Sequence, residues 1–291
     1  MSNLLAYLAC CLIWSSTWLF IKFGLESFAP FSFLSIRFLL AGPILLVAAA
    51  VAREPLLPRS RSEWLHAAII GFGMMALPYG LIYWGETRLP SGLTAVLFAL
   101  QPIFAVVFAH FYLARERFRP AQLGGILLAI VGILTVCRSQ LHGRAELGGA
   151  LAVLISATGQ GFMAVYQKKR GHHGGQFAQL GWANLIGGGL LLPALLLEPH
   201  PVRALTVQGV GSLLYLAVFG SAVAFVLVFQ LFRNWEATKT STISLVTPAL
   251  ALLWGWMFRH EPLGADYVLG ASLIVLGTWQ ANRVRATPSK S

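Results

Sequence analysis

The chain has 291 residues, of which 57% are hydrophobic and 11% charged, and its mean hydropathy is +0.72. A water-soluble chain carries about 25% charged residues, so this one lacks the charge to coat a soluble surface and reads as an integral membrane protein. Its net charge of +11 would suggest nucleic acid in a soluble protein. Here the basic residues sit in short polar gaps between apolar runs, so the expected partner is the lipid bilayer and not nucleic acid.

A helix crossing about 30 Å of hydrocarbon needs about 20 apolar residues. Ten segments meet or approach that length: 4–22, 28–52, 65–85, 90–113, 120–137, 147–167, 177–197, 205–232, 239–258 and 265–282. The first is read as a retained helix. No positive side chain precedes it, and it lacks the small-x-small cleavage site of a signal peptide. Cys10, Cys11 and Cys137 lie in apolar runs without metal-ligand or redox spacing, so no disulfide framework is expected. An even number of crossings puts both termini on one side. That side collects Arg53, Arg59, Arg61, Arg115, Arg117, Arg119, Lys168, Lys169, Arg170, Arg233, Lys239, Arg283, Arg285 and Lys290, fourteen in all. The other collects Lys22, Arg88, Arg138, Arg144, Arg203 and Arg259, six in all. The basic excess marks the cytoplasmic side, so both termini are expected in the cytoplasm of a multi-pass protein of an inner or plasma membrane.

The two halves of the chain match each other. A shift of 146 residues aligns Thr94 with Thr240, Pro102 with Pro248 and Ala105 with Ala251. After a one-residue slip, Glu116 aligns with Glu261, Gly125 with Gly270, Leu128 with Leu273 and Gly132 with Gly277. Five helices per half, an odd number, forces the halves into opposite orientations. The expected fold is all-α: ten transmembrane helices as two inverted five-helix repeats, residues 1–140 and 146–283, followed by a cytoplasmic tail at 284–291. Repeats of this kind build secondary transporters whose site lies near the midplane.

Trp14 and Trp18 open the series of residues that carry chemistry. Arg37 is the one strong charge clearly inside a segment. It either meets a solute or, lying about two turns from Pro30, snorkels to the interface. Tyr79, Tyr83 and Glu86 share one face of the third segment, with Glu86 and Trp84 read as part of an interfacial belt. Gln101 precedes Pro102, and Thr247 precedes Pro248. Each proline frees the carbonyl four residues back, at Phe98 and Ser244, which must face the protein interior or a wet cavity. The prolines read either as packing kinks or as flexible points beside a central site. Gln160 and Asn184 sit near the centres of the sixth and seventh segments, and either bond neighbouring helices or help to wet a cavity. Glu116 and Glu261 read as loop anchors or helix caps. No acidic residue is expected near the midplane, which argues against a carboxylate proton relay. The glycines inside helices read as packing. There is no phosphate-binding lysine motif, so neither ATP nor any other cofactor is expected, and His172 and His173 are assigned no metal. The candidate solute site is Trp14, Arg37, Tyr79, Tyr83, Gln101 and Gln160, with Pro102 and Pro248 as the hinge or kink pair. The expected partner is a small-molecule substrate, and a homodimer is left open.

The order Trp14-Ser15-Ser16-Thr17-Trp18, Lys22, Pro30, Arg37, then Leu100-Gln101-Pro102, Glu116 and the Gln122–Gly132 stretch, then Thr247-Pro248, Glu261 and Gly277, resembles the EamA-type branch of the drug/metabolite transporter superfamily. The resemblance spans nearly the whole chain. Its sixth segment departs from the pattern, with Ser156 and Ala157 in place of the tryptophan motif. The resemblance implies two inverted five-helix repeats around a central cavity, and export or exchange of small metabolites, often amino acids or drug-like compounds. Nucleotide-sugar and triose-phosphate carriers share the architecture. Their substrates are anionic phosphates, which only Arg37 would meet inside the membrane, so neutral, zwitterionic or aromatic solutes are favoured. A membrane-embedded enzyme or an assembly subunit is the rival class; an enzyme should cluster His, Asp or Glu at membrane depth.

Overall fold

The structure, a computed structural model, describes residues 3–113, 120–140, 143–170, 175–234 and 243–283. Glu116, His172, His173 and the 284–291 tail lie outside the described residues. The helices in chain order are α1 (Asn3–Ser27), α2 (Pro30–Val51), α3 (Arg61–Glu86), α4 (Ser91–Tyr112), α5 (Pro120–Gln140), α6 (Arg144–Arg170), α7 (Gln176–Leu197), α8 (207–234), α9 (Ile243–Arg259) and α10 (Ala265–Arg283). Among the described residues, seven helices are long and apolar enough to cross a membrane: α1, α2, α3, α4, α6, α7 and the Val207–Val228 part of α8. The chain is therefore an all-helical, multi-pass membrane protein. Among the described residues, the only isolated bridge of extended backbone pairs Phe28 with Val202. Leu127, Leu134, Leu151 and Ile155 stand exposed on outer helix faces, where lipid removes the penalty that water would impose.

The helix starts follow from local chemistry. Pro30 occupies the first turn of α2, where its missing N–H is not needed. Ser60 Oγ accepts from the Glu63 N–H at 3.2 Å, and the Glu63 carboxylate accepts from the Arg59 N–H at 2.6 Å. Thr206 Oγ1 accepts from the Gly209 N–H at 3.0 Å and opens α8.

Other caps come from far away in sequence. Glu54, just after α2, accepts from the backbone N–H groups of Gln176, Phe177 and Ala178 at 3.1, 2.9 and 3.1 Å. Glu198, just after α7, accepts from the N–H groups of Phe31 and Ser32 at 3.1 and 2.7 Å. Glu261 accepts from the Ser91 and Gly92 N–H groups at 2.8 and 3.0 Å. A carboxylate at a helix N-terminus satisfies orphan donors and complements the helix dipole. Of the two readings of Glu261, the geometry supports the cap.

Glycines bring helix pairs together. A Cβ on Gly42 would lie 3.1 Å from the Gly181 oxygen, and one on Gly188 would lie 3.1 Å from the Ser35 oxygen. These contacts join α2 and α7. Between α5 and α10 the approach is closer. A Cβ on Gly125 would lie 2.6 Å from the Gly277 oxygen, and one on Gly132 would lie 2.7 Å from the Gly270 oxygen. No side chain fits there, so backbone packs on backbone as lipid-embedded pairs require.

Four irregularities interrupt the helices, one of them in α7, where Leu192 and Pro193 separate helical Gln176–Leu191 from Ala194–Leu197. Gly71–Ala76 in α3 and Leu216–Val223 in α8 are π-helical. The fourth is in α4, which is α-helical over Ser91–Phe98 and again over Gln101–Tyr112, with Ala99 and Leu100 between. Pro102 falls in the first turn of the second stretch, where it is tolerated. Thr278 Oγ1 of α10 donates to the Ala99 carbonyl at 3.3 Å. Pro248, by contrast, lies inside the continuous helix α9. The two matched prolines therefore do different things to their helices.

Candidate functional site

The irregular stretches of α3, α4 and α8 converge on one cavity of about 280 Å³ between the halves of the chain. π turns and helix breaks expose backbone groups and re-aim side chains, which is why they gather at functional sites. Trp14, Tyr79, Gln101, Gln160 and Arg37 all line this cavity, as do Pro102 and Pro248. Tyr83 does not. Its side chain is fully buried behind the wall, where Arg37 Nη1 donates to its Oη at 2.9 Å.

Much of the lining falls into pairs separated by 146 residues: Trp14 with Gln160, Met74 with Gly220, Tyr79 with Phe225, Phe98 with Ser244, Gln101 with Thr247, and Pro102 with Pro248. The two π stretches contribute Met74 and Gly220 from matched places. The pairing relates positions, not chemistry. One member is ring or amide where the other is often small or apolar, so the cavity is lopsided.

Arg37 dominates the electrostatics. Its residue is 3% exposed, and it does not snorkel. Nε donates to Ser221 Oγ at 3.2 Å and Nη1 to Tyr83 Oη. Its guanidinium carbon lies 5.7, 5.6 and 6.0 Å from the ring centroids of Phe38, Tyr79 and Tyr83, a cation–π cage. Among the described residues no carboxylate lies within ion-pair distance of it. A buried guanidinium held by two hydroxyls and three rings retains donors and charge for an anionic group in the cavity. Gly220 keeps that approach open: a Cβ there would lie 3.3 Å from Arg37 Nη2.

The remaining wall is aromatic and amide. Trp14 meets Phe225 edge-on at 5.9 Å, and Trp18 meets Phe98 at 5.4 Å. Gln160 Nε2 donates to the Met74 carbonyl at 2.9 Å, answering the π stretch of α3. Asn184 is buried and bonds the Leu180 carbonyl of its own helix at 2.8 Å, away from the cavity. Composition did not single out Met74, Phe98, Gly220 or Phe225, because apolar residues carry no signal in an apolar chain. The 146-residue offset applied to Tyr79 leads directly to Phe225.

A larger cleft of about 400 Å³ lies at the other end of α3, lined by Pro55, Arg59, His66, Arg170 and Trp182 among others. It draws on loop residues and on the ends of α6 and α7. The central cavity is the stronger candidate, because it joins a buried cation, aromatic walls and broken helices.

The EamA-like transporter family matches residues 1–138 and again 147–283. The chain is 29% identical over 278 residues to Uncharacterized transporter YoaV of Bacillus subtilis, covering 94% of each. It is 31% identical over 274 residues to Uncharacterized inner membrane transporter YedA of Escherichia coli, covering 93% of this chain and 87% of that one. A crystal structure that is 19% identical covers 98% of this chain and 99% of its own at a TM-score of 0.69, a likeness of fold.

Proposed function

Because the chain belongs to the EamA-like transporter family, we propose that it is a secondary transporter that exports or exchanges small zwitterionic or aromatic metabolites, of amino-acid size, by alternating access. The observation that carries this reading is Arg37: a buried, caged cation with spare donors on the wall of an aromatic cavity. Its guanidinium binds the solute carboxylate, and Trp14, Tyr79 and Phe225 take the apolar part. Gln101 and Gln160 supply amide contacts. A cavity of about 280 Å³ suits a solute smaller than a drug-sized ligand. Phosphorylated sugars and nucleotides carry more charge than one guanidinium answers.

Ten membrane crossings and two inverted repeats complete the reading, with residues 1–140 and 146–283 as the halves. Four features support the inversion. The cavity lining pairs at a constant offset, and so do the π stretches. Glu54 and Glu198 cap each other's partner helix. The α5–α10 contacts are reciprocal, Gly125 with Gly277 and Gly132 with Gly270, as a two-fold axis between matched helices demands. Both termini are cytoplasmic on the basic-residue count.

The test is flux in liposomes without nucleotide, using a panel of labelled amino acids and their amides. Flux of aromatic amino acids, competed by each other and not by sugar phosphates, is the expected result. Flux only with ATP, or only of phosphorylated solutes, overturns it.

A further inference from the structure

The ends of α1 and α3, the start of α4 and the α9–α10 connection enclose a polar cluster outside the cavity. Glu86 is 0% exposed, and neither of its carboxylate oxygens has a hydrogen-bond partner. This corrects the interfacial reading of Glu86: a belt residue reaches headgroups and water, and this one reaches neither. Lys22 Nζ donates to the backbone carbonyls of Glu86 and Leu89, the latter at 2.5 Å. Its ammonium therefore sits at the end of α3 bonded to carbonyls.

Around Glu86 stand Lys22 from α1, Arg37 from α2 and Glu261 from the α9–α10 connection, with Tyr83 one turn earlier on its own helix. Glu261 is committed to the Ser91 and Gly92 N–H groups. Tyr267 of α10 lies beside Gly92, and its buried Oη also lacks a partner. The Arg88 guanidinium is drawn off over the Trp84 ring, 3.6 Å from its centroid. Among the described residues, α6 packs Gly149 and Val153 against Gly85, and α4 presents Ser91 and Gly92; neither brings an acid or base to this point.

A buried carboxylate with no donors is expensive as an anion. Two cations and the Glu261 carboxylate stand around it, so its charge depends on how those groups are placed, and a rearrangement of any of them acts on its proton. We propose, on the transporter reading above, that Glu86 is the binding site of a coupled proton: its carboxylate takes up one proton from one side of the membrane and releases it to the other in each cycle. The link to the solute is short. Tyr83, one turn from Glu86, accepts the hydrogen bond of Arg37, and Arg37 lines the cavity. Occupation of Arg37 changes the field at Glu86, and the coupling is reciprocal.

Two measurements decide it. The first needs neither a variant nor a solute. The purified protein in detergent is treated with dicyclohexylcarbodiimide, which adds to a protonated carboxyl to give a stable N-acylurea, and mass spectrometry reads the site. Labelling of Glu86 that rises as pH falls is expected; no labelling of Glu86 at any pH overturns the proposal. The second uses liposomes with labelled phenylalanine. A gradient of one pH unit sustains about a tenfold solute gradient per proton. In the Glu86→Gln protein the ratio of uptake with and without that gradient falls to unity, while Asp266→Asn, at an exposed position, keeps it. An unchanged gradient response in Glu86→Gln, or drive by sodium instead of protons, overturns the proposal. If the unaltered protein moves no amino acid, the transporter reading fails, and the labelling arm still decides whether Glu86 takes a proton.

Discussion

Replacing Arg37 by alanine tests the solute site through two separable effects. Tyr83 Oη, fully buried, loses its donor, and so does Ser221 Oγ. A buried polar group left unsatisfied costs about 1–3 kcal/mol, so the variant folds less stably. A solute carboxylate loses a charge-assisted hydrogen bond of about 1.5–3 kcal/mol, or about ten- to a hundred-and-fifty-fold in affinity. Quenching of the cavity tryptophans, Trp14 and Trp18, reads binding of phenylalanine and of phenylalanine amide, which keeps the ring and ammonium and lacks the carboxylate. The unaltered protein binds the acid more tightly than the amide by that factor. Arg37→Ala binds the two alike. General loosening weakens both ligands together and leaves their ratio intact, so the cycle isolates the pair. Arg37→Lys keeps the charge without the planar fork and gives an intermediate ratio. An acid-to-amide ratio that is the same in the unaltered and Arg37→Ala proteins refutes the assignment.

Tyr79→Ala and Gln101→Ala reduce flux while melting temperature in detergent stays near that of the unaltered protein; a lost stacked ring weakens binding by about 1–3 kcal/mol. Normal flux in both variants would move the site elsewhere. Gly277→Leu forces α5 and α10 apart, because even a Cβ would lie 2.5 Å from the Gly125 oxygen; overpacking of about 1–3 kcal/mol or more should appear as a lower thermal midpoint. Single cysteines placed at Arg144 and Lys169 report topology: the first reacts with a membrane-impermeant maleimide on intact cells and the second only after permeabilisation, and the reverse pattern inverts the orientation.

The helical stretches were legible because span length and hydropathy are properties of contiguous sequence. The internal match at 146 residues was legible too, through Pro102 and Pro248, and it ties Tyr79 to Phe225 across the cavity. What separates those prolines was not legible. Pro102 stands at a break whose carbonyl is taken by Thr278, and Pro248 lies in an intact helix. Arg37 left a choice between snorkelling and an inward role, and the choice turns on Ser221, 184 residues away. Glu86 was misread because nearness to a helix end was taken as nearness to water. It is removed from solvent by elements distant in sequence that pack about the end of α3, among them α1 with Lys22 and α6 with Gly149 and Val153, and none of these approaches is written in the local sequence.

The reciprocal carboxylates of α2 and α7 bear on which parts can move. Glu54 fastens the start of α7 to the end of α2, and Glu198 fastens the start of α2 to the end of α7. Between these fastenings, Ser35 Oγ donates to the Gly188 carbonyl at 2.8 Å. Sliding or tilting of one helix against the other would strip several backbone donors at once. The two are thus a girder, tied at both ends and riveted in the middle. Deformation is taken up most readily where the backbone is already off the regular helical ladder, and in the π stretches of α3 and α8 and at the Ala99–Leu100 break those places face the cavity, whereas the Leu192–Pro193 break of α7 does not line it. The irregular backbone of α3, α4 and α8 thus gathers where a solute would be held, while α2 and α7 are held to each other by side chains from both.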